Sequence, residues 1–288
     1  MPMNILIAPN NYYVMPGIVM LQSLFEQNPG PIDIYVLQSE LTQDNIVLLQ
    51  RFIEKHNGTL HMITIPKSML ENAHTSIHIT KESYYRLLAQ DLLPQDLSRV
   101  LYLDLDLIIT GNLSPLYNDD MIQDGKTCFF TVCEGPGVSQ REWKNYDALS
   151  IPHKYRYFNS GVLLMNLSLL REKTKVQTML DFIEQHGDTL KYHDQDTLNA
   201  LFYDKVKYVD WHVYNQTILH IKDKQEAEQR LQHAAIIHYA GSDKPWNYDY
   251  RSWYFSLFWK CAKQAGYRNQ YMATMWKRFW WHMKNHLH

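Results

Sequence analysis

The chain has 288 residues, 45% hydrophobic and 20% charged, with a formal net charge of −2. That is enough for one large globular domain or a domain with an appendage, and the near-neutral balance excludes a global attraction to nucleic acid or acidic lipid. The three cysteines, Cys128, Cys133 and Cys261, make neither a disulfide framework nor a spaced zinc motif, as expected of a reducing cytosol.

The start, MPMNILIAPNN, has no basic region and too short an apolar run for a signal peptide. No segment reaches the roughly 18 uninterrupted apolar residues of a membrane span. The expectation is a cytoplasmic chain.

Asn4–Ala8 reads as a short strand broken by PNN. Pro16 then suits a first helical turn, with Ile18, Leu21, Leu24 and Phe25 at helical spacing. Ile32–Leu37 is strand-like. Thr42 is placed to cap a second helix running to about His56, with Gly58 ending it. TLHMITI alternates as a strand, and KESYYRLLAQDLL reads as a helix. VLYLDLDLII follows, an apolar run interrupted by Asp104 and Asp106. Later come a strand over YRYFNSGVLLMNL, a helix from about Ser168 to Gln185, YHDQDTLNALF opening another helix, and AAIIHYAGSDKPW, a strand running into a glycine loop. Strands alternating with helices predict an α/β fold with a mostly parallel sheet and helices on both faces.

Ligands bind such sheets at the carboxyl ends of the strands. Residues i and i+2 of a strand share a face, so Asp104 and Asp106 are expected to point together at that edge. Paired carboxylates are hard-oxygen ligands suited to Mn²⁺ or Mg²⁺. Placing both in dry surroundings without a cation costs repulsion and lost hydration. The bland alternative puts both past the strand end in water. His238, ending another apolar run, is a third ligand or a core histidine. After it, Gly241 allows close backbone approach and Lys244 can set a cation on a phosphate. A metal with an adjacent lysine stabilises a diphosphate leaving group.

Taken in order, LYLDLDLIITGNLSPLY, YFNSGVLLMNL, YHDQDTLNALF and IHYAGSDKPW resemble the family 8 retaining glycosyltransferases, in particular the bacterial lipopolysaccharide-type α-galactosyl- and α-glucosyltransferases. The resemblance runs from about Asn4 to Trp246. It implies a single nucleotide-sugar-binding domain of GT-A type over residues 1–250, a UDP-sugar donor, Mn²⁺ (or Mg²⁺), and a glycan or lipid-linked glycan acceptor. It implies Asp104, Asp106 and His238 as metal ligands. Gly241 and Lys244 match diphosphate contacts, and Arg86 matches a donor-binding arginine. Asn159 matches a residue that orients the sugar, and Asp194 and Gln195 match the pair below the anomeric carbon. Ala8, Asn10 and Tyr13 match the uracil and ribose pocket, with Tyr13 stacking. His78 matches a position near the acceptor.

The chain departs from the family pattern twice. Asn10 stands where an aspartate is usual, although an asparagine can still accept from and donate to uracil. Glu134 lies one residue from the expected place of another aspartate, in a region that helps separate galactose from glucose, so both sugars stay open. The resemblance implies front-face attack with retention, because Gln195 is a poor nucleophile and Asp194 contacts sugar hydroxyls. Two other readings remain: a nucleotide-sugar-binding protein without catalysis, and a D-x-D phosphohydrolase, whose motif would usually follow the first strand.

The last segment, 251–288, is rich in Trp, Phe, Tyr, Lys and Arg. Met272, Met275, Trp276, Phe279, Trp280 and Met283 fall on one side of a helix, with Lys277, Arg278 and Lys284 largely opposite. That pattern fits a helix lying on a membrane surface, at the inner face, or a helix packed on its own domain or on a partner subunit.

Overall fold

The first apolar run becomes β1 (Met3–Ile7), and α1 (Val14–Gln27) carries Pro16 in its first turn. β2 (Ile32–Gln38), α2 (Gln43–Lys55) and β3 (Thr59–Thr64) follow. Thr42 caps α2, its side chain accepting from Asn45 N at 3.4 Å, a contribution of about 1 kcal/mol. The helix ends differently from the expectation. Asn57, not Gly58, takes the left-handed conformation, at φ 59°. Gly58 is needed for space: a Cβ there would lie 2.8 Å from Phe25 Cζ and 2.9 Å from Ile53 Cγ2.

The computed structural model describes residues 2–66, 69, 81–134, 146–187, 189–218, 223–250 and 254–286; His78 lies outside them. The helix expected over KESYYRLLAQDLL is present, 3-10 over Lys81–Leu88 and α-helical over Ala89–Leu92 (α3). Residues 84–90 are all buried, while Glu82 and Ser83 are half-buried. Next come β4 (Arg99–Leu103), β5 (Leu107–Ile109), a small hairpin of β6 (Ile122–Gln123) and β7 (Lys126–Thr127), β8 (Phe130–Glu134) and β9 (Phe158–Asn166). The helix predicted over Ser168–Gln185 is two, α4 (Leu167–Lys173) and α5 (Val176–His186). They part at Thr174, whose backbone is extended and whose hydroxyl donates to Gln90 Oε1 at 3.0 Å. α6 (His193–Phe202), β10 (Val206–Val209), β11 (Gln216–Thr217), α7 (Lys224–Gln232), β12 (Ile236–His238), α8 (Phe255–Gln264) and α9 (Arg268–His286) follow, with single helical turns at Ser114–Tyr117 and Trp211–Tyr214 besides.

The main sheet runs β10-β8-β9-β4-β1-β2-β3. It is mostly parallel, as expected, with β9 antiparallel to both its neighbours. Both faces are buried. In β4, Val100 and Tyr102 join one core cluster, while Leu101 and Leu103 join the other. This is why these strands read as continuous apolar runs. A second sheet, β11-β12-β5, stands beside the first. α8 closes a third cluster, placing Phe258 and Trp259 against Val19 of α1 and Ile237 of β12.

β4 stops at Leu103, and residues 104–106 turn the chain out of the large sheet into β5 of the small one. The two aspartates therefore do not share a strand face. Asp104 N still donates to Gly161 O of β9 at 2.8 Å, whereas Asp106 O accepts from Tyr239 N, beyond β12, at 2.9 Å. The carboxylates meet because a turn folds them together where the two sheets adjoin.

Candidate active site

Asp104, Asp106 and His238 come together at that turn. Ligand atoms from all three lie within 4.8 Å of one another. His238 Nδ1 lies 2.7 Å from Asn215 Oδ1, and Asn215 Nδ2 donates to Asn159 Oδ1 at 2.9 Å. Asn159 Oδ1 also accepts from Gly161 N at 2.9 Å. That main-chain donor fixes the Asn159 amide, which fixes Asn215, which leaves the proton on His238 Nδ1. In the neutral ring, the form that ligates a metal, Nε2 carries the lone pair and faces Asp106 Oδ1 at 3.2 Å. Two lone-pair-bearing atoms that close call for a cation between or beside them, so the donor set fits a divalent metal.

The other oxygen, Asp106 Oδ2, accepts from the buried Lys244 ammonium, which also donates to Tyr239 O at 2.9 Å. Burial pushes the Asp106 carboxyl up, but the Lys244 charge and then His238 outweigh it and hold the group well below the usual carboxylate range. Gly241, at φ 90°, turns the loop that brings Lys244 in. Only glycine holds that backbone without strain.

Arg86 sits at the other side. Its Nη2 donates to Asp104 Oδ1 at 2.9 Å, its Nε lies 3.2 Å from Asp194 Oδ2, and its Nη1 donates to Ser160 O at 2.6 Å. The guanidinium lies 4.2 Å from the Tyr102 ring centroid, and the Tyr102 hydroxyl donates to Asp104 Oδ1 at 2.7 Å. Arg86 thus clamps Asp104 to Asp194, a role a lysine could not fill with one ammonium. Asp194 also accepts from Ser160 Oγ at 3.0 Å. Burial pushes the Asp194 carboxyl up; Arg86 pulls it down less than burial raises it, and Asp104 adds to the rise.

Such a group binds its proton more tightly in the folded chain than in the unfolded one. Its contribution to stability is therefore present below the unfolded value, about 4, and is lost as pH rises through the folded one. Asp194→Asn should gain on the parent in melting temperature as pH is raised from about 4 to about 7. A parent that gains on the variant over that range would contradict the assignment.

Gln195 Oε1 accepts from Asn159 Nδ2 at 2.8 Å and from Ser160 N at 3.1 Å. Ala8 ends the first apolar run, and Asn10 uses Oδ1 to accept from Tyr13 N at 3.0 Å. That oxygen is committed to the turn before α1, leaving the Asn10 amide as the group free of it. Tyr13 packs edge-on to Trp246, with centroids 5.6 Å apart, and so joins the Asn10 loop to the Lys244 loop. Glu134 ends β8 opposite Phe158 and accepts from Arg156 Nη1 at 3.0 Å.

The structure thus gathers Arg86, Asp104, Asp106, Asn159, Asp194, Gln195, His238 and Lys244 into one connected set. The sequence reading missed Asn215, Ser160, Tyr157 and Gly161. A lone asparagine in VYNQT carries no signal. Gly161 stood in the quoted YFNSG, and its reason is spatial: a Cβ there would lie 2.6 Å from Asp104 Oδ2, 2.7 Å from His238 Cε1 and 2.9 Å from Asn159 Oδ1.

Residues 4–250 match the family model described as glycosyl transferase family 8. General stress protein A of Bacillus subtilis is 29% identical over 239 residues, covering 78% of this chain and 81% of that protein. A lipopolysaccharide 1,2-glucosyltransferase of Escherichia coli is 25% identical, covering 93% of this chain and 77% of that one. The crystal structure of the galactosyltransferase LgtC with donor and acceptor sugar analogues superposes with a TM-score of 0.78 at 24% identity, covering 91% of this chain and 96% of LgtC; at that identity the likeness is one of fold.

Proposed function

Because the chain belongs to glycosyl transferase family 8, we propose that it moves a hexose, galactose or glucose, from a UDP-sugar to a glycan hydroxyl, with Mn²⁺ in the site and retention of configuration. The observation that carries this reading is the junction of Asp104, Asp106 and His238 with Lys244 on one side and the Arg86–Asp194–Gln195 group on the other. A divalent cation held by Asp104, Asp106 and His238 would supply Lewis-acid stabilisation to a departing diphosphate. Lys244 adds a second positive charge at the same place. Asp194 and Asn159 orient the sugar, and Tyr13, Ala8 and Asn10 hold the nucleoside. Gln195 Oε1 already accepts two N–H bonds, which lowers its nucleophilicity further. That favours front-face attack, with the leaving phosphate taking the acceptor's proton.

The test is UDP release with Mn²⁺ from UDP-galactose, UDP-glucose and UDP-N-acetylglucosamine, with and without a panel of sugar acceptors. Slow cation-dependent hydrolysis of one hexose donor, cut about 100-fold or more in Asp106→Ala, is the expected result. Cation-dependent UDP binding with no turnover on any donor or acceptor would favour a binding protein without catalysis.

The same reading makes residues 1–250 the catalytic domain and 251–288 a helical tail that meets lipid at the inner face of the membrane, where a lipid-linked acceptor would lie. Among the described residues no helix is long and apolar enough to cross a membrane. On α9, Met272, Trp276, Phe279, Trp280 and Met283 are all exposed, and at 3.6 residues per turn they share an arc of about 100°. Lys277 and Lys284 are exposed beside them. Met275 and Arg278 face the other way. Met275 packs on the third cluster, and Arg278 donates to Tyr250 O with its guanidinium 4.9 Å from the Phe255 ring. An aromatic stripe flanked by lysines suits an anionic bilayer interface. Liposomes containing phosphatidylglycerol should float the parent chain, and Trp276→Ser/Trp280→Ser should abolish flotation; equal flotation of both would end the idea.

A further inference from the structure

Six side chains pass hydrogen bonds in one direction through the core beneath the site. His238 donates to Asn215, Asn215 to Asn159, and Asn159 to Gln195. Gln195 Nε2 donates to the Tyr157 hydroxyl oxygen at 3.1 Å, and that hydroxyl donates to Asp196 Oδ1. Main-chain donors fix the sense at both ends. Ser160 N holds Gln195 Oε1 at 3.1 Å. Lys191 N and Tyr192 N hold Asp196 Oδ2 at 2.7 and 2.8 Å. The Tyr157 hydroxyl has one proton and gives it to Asp196 Oδ1, so toward Gln195 it can only accept. Burial, with Asp196 adding to it, pushes the Tyr157 hydroxyl far above its ordinary range and keeps its proton in place.

We propose that Tyr157 and Asp196 are positioning residues for glycosyl transfer: they hold the Gln195 amide with its oxygen turned to Asn159 and Ser160 and its NH₂ turned away. This rests on the transferase reading above. Their effect is one of hydrogen-bond polarity, not of shape. In Asp196→Asn the two main-chain donors keep the side-chain oxygen, so the new NH₂ points at Tyr157. Tyr157 Oη then lies between two NH₂ groups and its own proton has no acceptor. Gln195 cannot flip to relieve this, because flipping sets its NH₂ against Ser160 N and Asn159 Nδ2. Tyr157→Phe removes the conflict along with the hydroxyl.

The experiment is the cycle of Tyr157→Phe, Asp196→Asn and the double variant, read as kcat and donor KM. Tyr157→Phe should lower kcat about tenfold and Asp196→Asn about 100-fold, with donor KM within about twofold in both. The double variant should return to the Tyr157→Phe level. An Asp196→Asn variant as active as Tyr157→Phe, or losses that simply multiply in the double variant, would overturn the proposal. The same order and the same rescue should be seen in melting temperature. That readout tests the polarity argument even if the parent turns over no donor, a result that would sink the transferase reading by itself.

Discussion

Gly161→Ala should lower cation-dependent turnover about 100-fold or more, although it adds one methyl group to a buried strand. The methyl would meet three groups that cannot yield. Asp104 is fixed by Arg86 and Tyr102, His238 by Asn215, and Asn159 by Gln195 and Asn215. Each contact, at 2.6 to 2.9 Å, is closer than a real Cβ tolerates, so at least one ligand must leave its place. Overpacking of this kind costs about 1–3 kcal/mol, which a chain of this size tolerates. Calorimetric titration with Mn²⁺ in the presence of UDP, beside a thermal melt, separates the outcomes. A folded variant with little cation binding is expected. Parent-like cation affinity would mean that the metal does not sit over β9.

Asn215→Leu should weaken cation binding by about 10- to 100-fold, the usual cost of losing a partner that orients a ligating histidine. Asn215 is buried, and its amide is the link that assigns the His238 proton to Nδ1. Without it the ring can rotate or carry its proton on Nε2, where a cation cannot bind. Asn215→Asp separates the two jobs. It keeps an acceptor for His238 Nδ1 but sets a second oxygen against Asn159 Oδ1, so its cation affinity should exceed that of Asn215→Leu while turnover stays low. Equal cation affinity in all three proteins would remove Asn215 from the site's description.

The sheet was legible because both its faces are buried. β4 and the Val162–Met165 part of β9 read as apolar runs, and α2 shows one apolar side. The segment carrying Arg86 was legible as a helix but not as a 3-10 one, and the break at Thr174 lies where its hydroxyl meets Gln90, far away in sequence. At the site, residues with distinctive chemistry announced themselves: paired aspartates, a histidine closing a strand, a lysine after a glycine. Even there, strand geometry gave the wrong reason for the meeting of Asp104 and Asp106. That meeting depends on two sheets joining at a turn, which no local pattern encodes. Asn215, Ser160 and Tyr157 were invisible because their work is to accept or donate at a position set by tertiary contacts alone. The exposed stripe on α9 was legible in outline. Its inner side was not, since the inward turn of Met275 and Arg278 is decided by α8 and the Tyr250 carbonyl.

The ion pair between Lys244 and Asp106 bears on how the ligands arrive. Counting formal charges, Arg86 and Lys244 leave the trio Asp104, Asp106 and Asp194 one negative charge in excess. A divalent cation alone would invert that sign and strand Lys244 beside it. A nucleotide sugar alone, with the two negative charges of its diphosphate, would crowd more negative charge around Asp104 and Asp106. Arriving together, the two cancel, and Lys244 exchanges one anion for another. On the proposed transferase reading, the site would take up a salt rather than an ion, and its affinity for either component should be read as a function of the other.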